Sequence, residues 1–119
     1  MISAGQKVNK LMQDFFTAYF NERDYKAAAG FLREDIRWIG LGAVCSARDR
    51  SEAVKFLQAE IAAAPYAVFF EYENVQNVML SETAAVFLCD LLLKKNKDGY
   101  DSDISIRVMA ACNYTYAYI

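Results

Sequence analysis

Asp90 lies inside Phe87-Leu88-Cys89-Asp90-Leu91-Leu92-Leu93, an otherwise apolar run. A carboxylate turned into a dry interior is costly unless paired or protonated, and desolvation raises its pKa. That makes Asp90 the acid or base candidate of the chain. The competing reading gives its face to solvent or to a subunit contact. Arg107 is the matching anomaly, between Ile106 and Val108. If the two runs are neighbouring strands joined through Asp98-Gly99, Asp90 and Arg107 lie close enough to pair. Such a pair is either a structural bridge or an anchor for a carboxylate ligand. Only Asp101 or Asp103 could add a second carboxylate, and both fall near the turn. Glu71 and Glu73 share one strand parity with Phe69, so one of them could approach a cavity, although a solvated face is the better reading.

The chain contains no histidine, so the commonest acid–base side chain is missing. It has three cysteines, Cys45, Cys89 and Cys112. An odd count argues for reduced thiols. There is no CxxC spacing and no histidine to complete a tetrahedral set, so no metal site is expected. Cys89 and Cys112 sit in apolar strand-like runs and read as small core residues. No motif implies a cofactor.

A second group of candidates is aromatic. Phe16, Tyr19 and Phe20 crowd one helix, Trp38 is the only tryptophan, and Tyr72 follows Phe70 by two. Flat rings can wall a pocket for a flat or apolar ligand. The same residues can equally fill a core.

The elements that must position these residues follow from periodicity. Val8, Leu11, Met12, Phe15, Phe16 and Tyr19 recur at three- and four-residue steps, predicting a helix from about Ser3 to Asn21. Asp24 can cap a short helix to Leu32. Ile36 to Ile39 reads as a strand, followed by Gly40 and Gly42. Asp49 and Glu52 form a reciprocal cap for a third helix, Ser51 to Ala64, limited by Pro65. Beyond it the period changes to two. Tyr66 to Met79, Glu82 to Lys94 and Ile104 to Cys112 read as strands. Ala85, Phe87, Cys89, Leu91 and Leu93 share one face of the second. Asp98-Gly99 is a hairpin signal. Tyr114 to Ile119 is either a shortened last strand or an extension of the one before. Helices followed by long strands spell α+β, with helices on one face of a mostly antiparallel sheet.

With 119 residues, a single domain spanning 1–119 is expected. Hydrophobic residues make up 55% and charged residues 24%, and no apolar run is long enough to cross a bilayer. Net charge is −2, against a basic nucleic-acid face. The densest cationic cluster, Lys94-Lys95-Asn96-Lys97, sits at a turn. Met1 to Lys7 lacks a basic region leading into an apolar one, so a cytoplasmic location is expected.

Three segments carry a resemblance: Phe16-Thr17-Ala18-Tyr19-Phe20-Asn21-Glu22-Arg23-Asp24-Tyr25, Phe31-Leu32-Arg33-Glu34-Asp35-Ile36-Arg37-Trp38, and Ser51-Glu52-Ala53-Val54-Lys55-Phe56-Leu57. Together, over about Val8 to Ala110, the chain resembles the nuclear transport factor two-like superfamily, which includes ketosteroid isomerases, scytalone dehydratase and SnoaL-like cyclases. The resemblance implies a cone-shaped fold: three helices and a curved sheet wrapped around the first helix, with a pocket at one end. It also implies homodimerisation through the sheet. Two departures follow. In the isomerases a helix-one tyrosine and an aspartate after the first strand do the work; here Phe16 and Gly40 stand at those positions. Family members also carry one more strand, which here is short or missing.

The leading expectation is therefore a non-catalytic domain, in some versions of the fold sensory, that binds a small apolar or aromatic ligand through Phe16, Tyr19, Phe20, Trp38 and Tyr72. Its competitor is an enzyme of isomerase, cyclase or epoxide-hydrolase type, using Asp90 with Arg107 or a tyrosine hydroxyl. A third reading is a purely structural dimerisation module. Enolisation needs a proton acceptor and an oxyanion donor, which phenylalanine and glycine do not supply. An assay with a β,γ-unsaturated ketosteroid is expected to show no turnover; turnover lost on replacing a carboxylate would contradict this.

Overall fold

Ser3 opens the first helix with a reciprocal cap. Its hydroxyl accepts the Gln6 N–H at 3.2 Å while the Gln6 side chain accepts the Ser3 N–H at 2.9 Å. The computed structural model describes residues 3–39, 46–94, 104–114 and 116–119. Helix α1 spans Ala4–Phe16 and buries Val8, Leu11, Met12, Phe15 and Phe16, the stripe expected from spacing. It then widens into a π-helical turn, Thr17–Asn21. The wider winding turns three consecutive residues inward, Ala18, Tyr19 and Phe20.

The chain reverses at Arg23, which takes a left-handed φ of 53°. Its guanidinium bonds both Glu60 carboxylate oxygens at 3.2 and 3.3 Å and the Tyr19 carbonyl at 3.3 Å. It also lies 5.7 Å from the Tyr19 ring centre. With only 6% of the side chain exposed, Arg23 clamps the end of the first helical stretch to α3. Asp24 caps α2, Tyr25–Ala29, by accepting the Ala27 N–H at 3.0 Å. This helix is shorter than the expected run to Leu32, because the chain tightens into turns whose N–H groups reach back only three residues.

Helix α3, Arg50–Ala63, begins at Asp49, whose carboxylate accepts the Glu52 N–H at 2.9 Å. Glu52 does not return the bond as a capping box would; it pairs with Arg48 at 3.2 Å. Ala53, Leu57 and Ile61 are buried at four-residue steps. The strand expected at Ile36 to Ile39 reduces to one bridge, Trp38 with Ala47, closed by two 2.8 Å bonds.

The sheet is antiparallel in the order β1 (Phe69–Met79), β2 (Ala84–Lys94), β3 (Ile104–Asn113). A bulge between Glu73 and Gln76, with Asn74 at φ 55°, bends β1. Alternation sorts the faces as expected. Ala85, Phe87, Cys89 and Leu91 are buried against the helices with Cys112. Phe70, Tyr72, Val75, Ile106, Val108 and Ala110 complete that inner face. Among the described residues the architecture is the expected α+β cone: three helices against a curved three-stranded sheet. The last segment forms no named strand: it turns back on the end of β3 through a single bridge, in which Asn113 and Tyr118 exchange bonds of 2.8 and 3.0 Å. Ile119 then ties to Phe31 and Arg33 at 2.8 and 3.2 Å, stitching the sheet to the segment after α2. Gly40, Gly42, Cys45, Lys95 to Lys97, Asp98, Gly99, Asp101 and Asp103 lie outside the described residues.

Among the described residues Phe87 is the largest fully buried side chain. Phe87→Ala is expected to cost about 3–5 kcal/mol, read as a lowered urea midpoint with unchanged slope. Val86→Ala, on the opposite face of the same strand, should cost less than half of that.

Candidate functional site

The rings proposed from sequence come together in one continuous cluster. Phe16 meets Phe70 at 5.6 Å edge-on and Phe87 at 6.3 Å. Tyr19 stacks on Phe20 at 4.3 Å and 15°. Trp38 packs between Phe15, Tyr19 and Phe56 at 6.1, 6.3 and 5.7 Å. Phe16 is 3% exposed, and Tyr19 and Phe20 are also buried. These three rings fill the cone where they were expected to wall a hollow. The physical reason is that the π turn directs Tyr19 and Phe20 into the space between helix and sheet, where Phe16 already points from the buried stripe of α1.

Open space lies beside this cluster. A depression of about 510 Å³ runs between the polar flank of the first helical stretch and β1. Gln13, Thr17 and Asn21 form one wall; Phe70, Tyr72, Phe69, Glu71 and Lys94 form the other. Phe70 and Tyr72 stand two residues apart on one strand face, their rings 6.1 Å apart and inclined by only 22°. They make a flat, half-buried aromatic panel anchored from behind by Phe16 and Phe20. Across it stand two amides and a hydroxyl, donors and acceptors that carry no charge. At the rim Lys94 bonds Glu71 at 3.4 Å, a cross-strand pair that balances its own charge. Tyr72 thus lines this groove, whereas Phe16, Tyr19, Phe20 and Trp38 do not. Gln13, Thr17 and Asn21 recur every four residues beside the apolar stripe; that polar stripe is the sequence signal for the groove's far wall.

A second depression, about 350 Å³, lies at the start of α3 and is lined by Glu34, Asp49, Arg50, Ser51 and Val54. The Asp49 carboxylate already occupies the helix N-terminus there, which leaves it little attraction for an anion. Among the described residues no cluster of three or more histidine, cysteine, aspartate or glutamate side chains could hold a metal ion.

Asp90 and Arg107 are direct cross-strand neighbours, and Arg107 Nε donates to Asp90 Oδ1 at 3.2 Å. Asn74 donates to the other carboxylate oxygen at 2.9 Å. Both residues sit on the outer sheet face, opposite in parity to Phe87, Cys89 and Leu91. The sheet therefore separates them from the aromatic cluster and from Tyr72. This is why an apolar strand carries a carboxylate: every second residue of β2 leaves the core.

No family model matches the sequence, and no curated protein does. Solved structures do match. An NTF2-like protein of unknown function from Pseudomonas putida superposes with a TM-score of 0.79 at 12% identity, over 92% of this chain and 75% of that one. A ketosteroid isomerase-like protein from Erwinia carotovora atroseptica gives 0.71 at 14% identity, over 93% and 84%. A domain assigned as a calcium/calmodulin-dependent protein kinase II association domain from Xanthomonas campestris gives 0.73 at 13%, over 94% and 78%. At such identities the likeness is one of fold. The chain has the cone fold of the nuclear transport factor 2-like proteins. No helix among the described residues is long and apolar enough to cross a membrane.

Two buried thiols complete the interior. Burial pushes the Cys112 thiol up to about 11. Burial does the same to Cys89, to about 11, helped by the Asp90 charge beside it. Both start from 9.0 in the unfolded chain, so the unfolded chain ionises first as pH rises. The native state is expected to lose stability from about pH 9 to about pH 11 and to regain it below. A thiol-alkylation pulse at pH 8 followed by peptide mapping should leave both residues unlabelled until denaturant is added.

Proposed function

We propose that this domain binds a small, flat, apolar or aromatic molecule without transforming it. The observation that carries this reading is the groove beside α1. Its volume of about 510 Å³ falls within the range of small-molecule sites. One wall is an aromatic panel and the other offers neutral hydrogen-bonding groups, a combination that orients a planar ligand by stacking and a few polar contacts. The ligand lies on Phe70 and Tyr72, with Gln13, Thr17 and Asn21 addressing its polar edge. The ionisable pair singled out from sequence, Asp90 with Arg107, faces away from this groove, which argues for binding over turnover. Ketosteroid isomerase chemistry is not part of the reading.

The domain works as a homodimer joined through the outer face of the sheet. Support comes from Met109, a large apolar residue on that face that is 75% exposed, and from the fold shared with a protein assigned as an association domain.

The test uses anilinonaphthalene sulfonate as a planar probe. The folded protein is expected to enhance its fluorescence saturably, and Tyr72→Ala should weaken binding by about tenfold, the worth of one ring contact. Phe56→Ala, across the core from the groove, should leave binding unchanged. Equal binding by wild type and Tyr72→Ala would reject the groove as the site. Native mass spectrometry of protein purified without additives would identify a natural ligand carried along.

A further inference from the structure

The outer sheet face carries a charged row, Glu73, Asp90 and Arg107, across a largely apolar field, with the Lys94–Glu71 pair towards one end. The register sets Glu73 beside Asp90 and Asp90 beside Arg107. Val86, Leu88 and Leu92 on β2 share that face with Met109 and Ala111 on β3. Within the row the exposure is uneven: the Arg107 side chain is 91% exposed, that of Asp90 only 35%. Asp90 has both oxygens engaged, by Arg107 and Asn74. Arg107 contributes only Nε to this pair, and among the described residues its two terminal nitrogens have no partner. A cation held at its base, with its fork free above an apolar surface, is arranged to meet a carboxylate from outside.

Resting on the homodimer just proposed, we infer that Asp90 and Arg107 set its register by forming an alternating square of four charges with the partner subunit's Asp90 and the partner subunit's Arg107. The argument is one of symmetry. In a two-fold dimer the same face meets itself, and packed sheets run roughly aligned about 10 Å apart. A two-fold axis crossing the strands through the charged row would stack arginine on arginine and aspartate on aspartate. A two-fold axis parallel to the strands, running between β2 and β3, lays the partner's β3 over β2. Each Arg107 then stands between its own Asp90 and the partner subunit's Asp90. Within the square the four charges sum to zero and each corner adjoins two of opposite sign; Glu73, beside Asp90 on β1, lies outside it. The same operation sets Leu88 against the partner subunit's Met109 and Val86 against the partner subunit's Ala111, which covers the most exposed apolar side chain of the face. Glu71 and Glu73, on β1, stay at the solvated rim. Like charges facing one another across an interface are strongly unfavourable, so the row selects one arrangement and excludes the crossed one.

The test is complementation between chains, read by light scattering. Wild type is expected to be a dimer. Asp90→Lys makes the row of one chain wholly cationic between β2 and β3, and Arg107→Glu makes it wholly anionic. Each variant alone should be folded by circular dichroism and weakened in self-association by about 100-fold or more. Their equimolar mixture should return to a dimer containing one chain of each. Across that mixed interface the cationic row of the Asp90→Lys chain meets the anionic row of the Arg107→Glu chain, so both facing pairs are again opposite in sign. No rearrangement within one chain can give that rescue. The register is read separately by mixing Leu88→Cys with Met109→Cys under mild oxidation. A disulfide between unlike chains, with none between two Leu88→Cys chains, supports the axis between β2 and β3. Disulfides between two Leu88→Cys chains would move the axis onto β2 and overturn the square. A wild-type dimer whose variants do not complement overturns the square and leaves the dimer standing. A wild-type monomer overturns both and gives the face to some other partner. If a charge variant fails to fold, the cysteine pair decides alone.

Discussion

Burial of the rings of the first helical stretch against the inner face of the sheet is the contact on which the other features depend. Phe15, Phe16, Tyr19 and Phe20 belong to eleven consecutive residues, Leu11 to Asn21, that are helical throughout. They touch residues from distant parts of the chain: Phe31 after α2, Trp38 at the bridge, Phe70 on β1 and Phe87 on β2. Each enclosed aromatic side chain contributes roughly 1.5–3 kcal/mol on burial, more than the exposed ion pairs seen here. Because these rings occupy the centre, the room left for a ligand lies at the flank, along β1. The location of the groove follows from the filling of the core.

The two faces of the sheet divide the work. The inner face supplies the aromatic panel and the packed interior. The outer face supplies an apolar field crossed by the ionic row of Glu73, Asp90 and Arg107. β2 contributes to both through strict alternation: Phe87, Cys89 and Leu91 go one way, Leu88, Asp90 and Leu92 the other. A one-residue slip of this strand would bury Asp90 and expose Phe87, so the ionic row and the core hold one register together.

Much of this was legible in the chain. The three- and four-residue recurrence of apolar residues located α1, Asp24 and Asp49 marked their helices, and alternation sorted the strand faces. That Asp90 and Arg107 lie near enough to pair was expected from neighbouring strands, though not their register. Two things escaped. Composition shows a surplus of rings but does not say whether they wall a space or fill it; that depends on helix winding, and nothing in Thr17-Ala18-Tyr19-Phe20-Asn21 announces a π turn. The flank groove escaped because its walls come from two distant segments. Gln13, Thr17 and Asn21 are ordinary solvent-facing residues until β1 lies opposite them.

Position 23 shows what such a fold demands of a single residue. The left-handed backbone there is the conformation glycine adopts without penalty and arginine adopts at a cost. Yet glycine would leave the Glu60 carboxylate and the Tyr19 carbonyl without the group that now joins them. Main chain and side chain thus make opposing requests of one codon, and the side chain prevails. A sequence drifting under selection for stability alone could relieve the strain only by surrendering the bolt between its first and third helices.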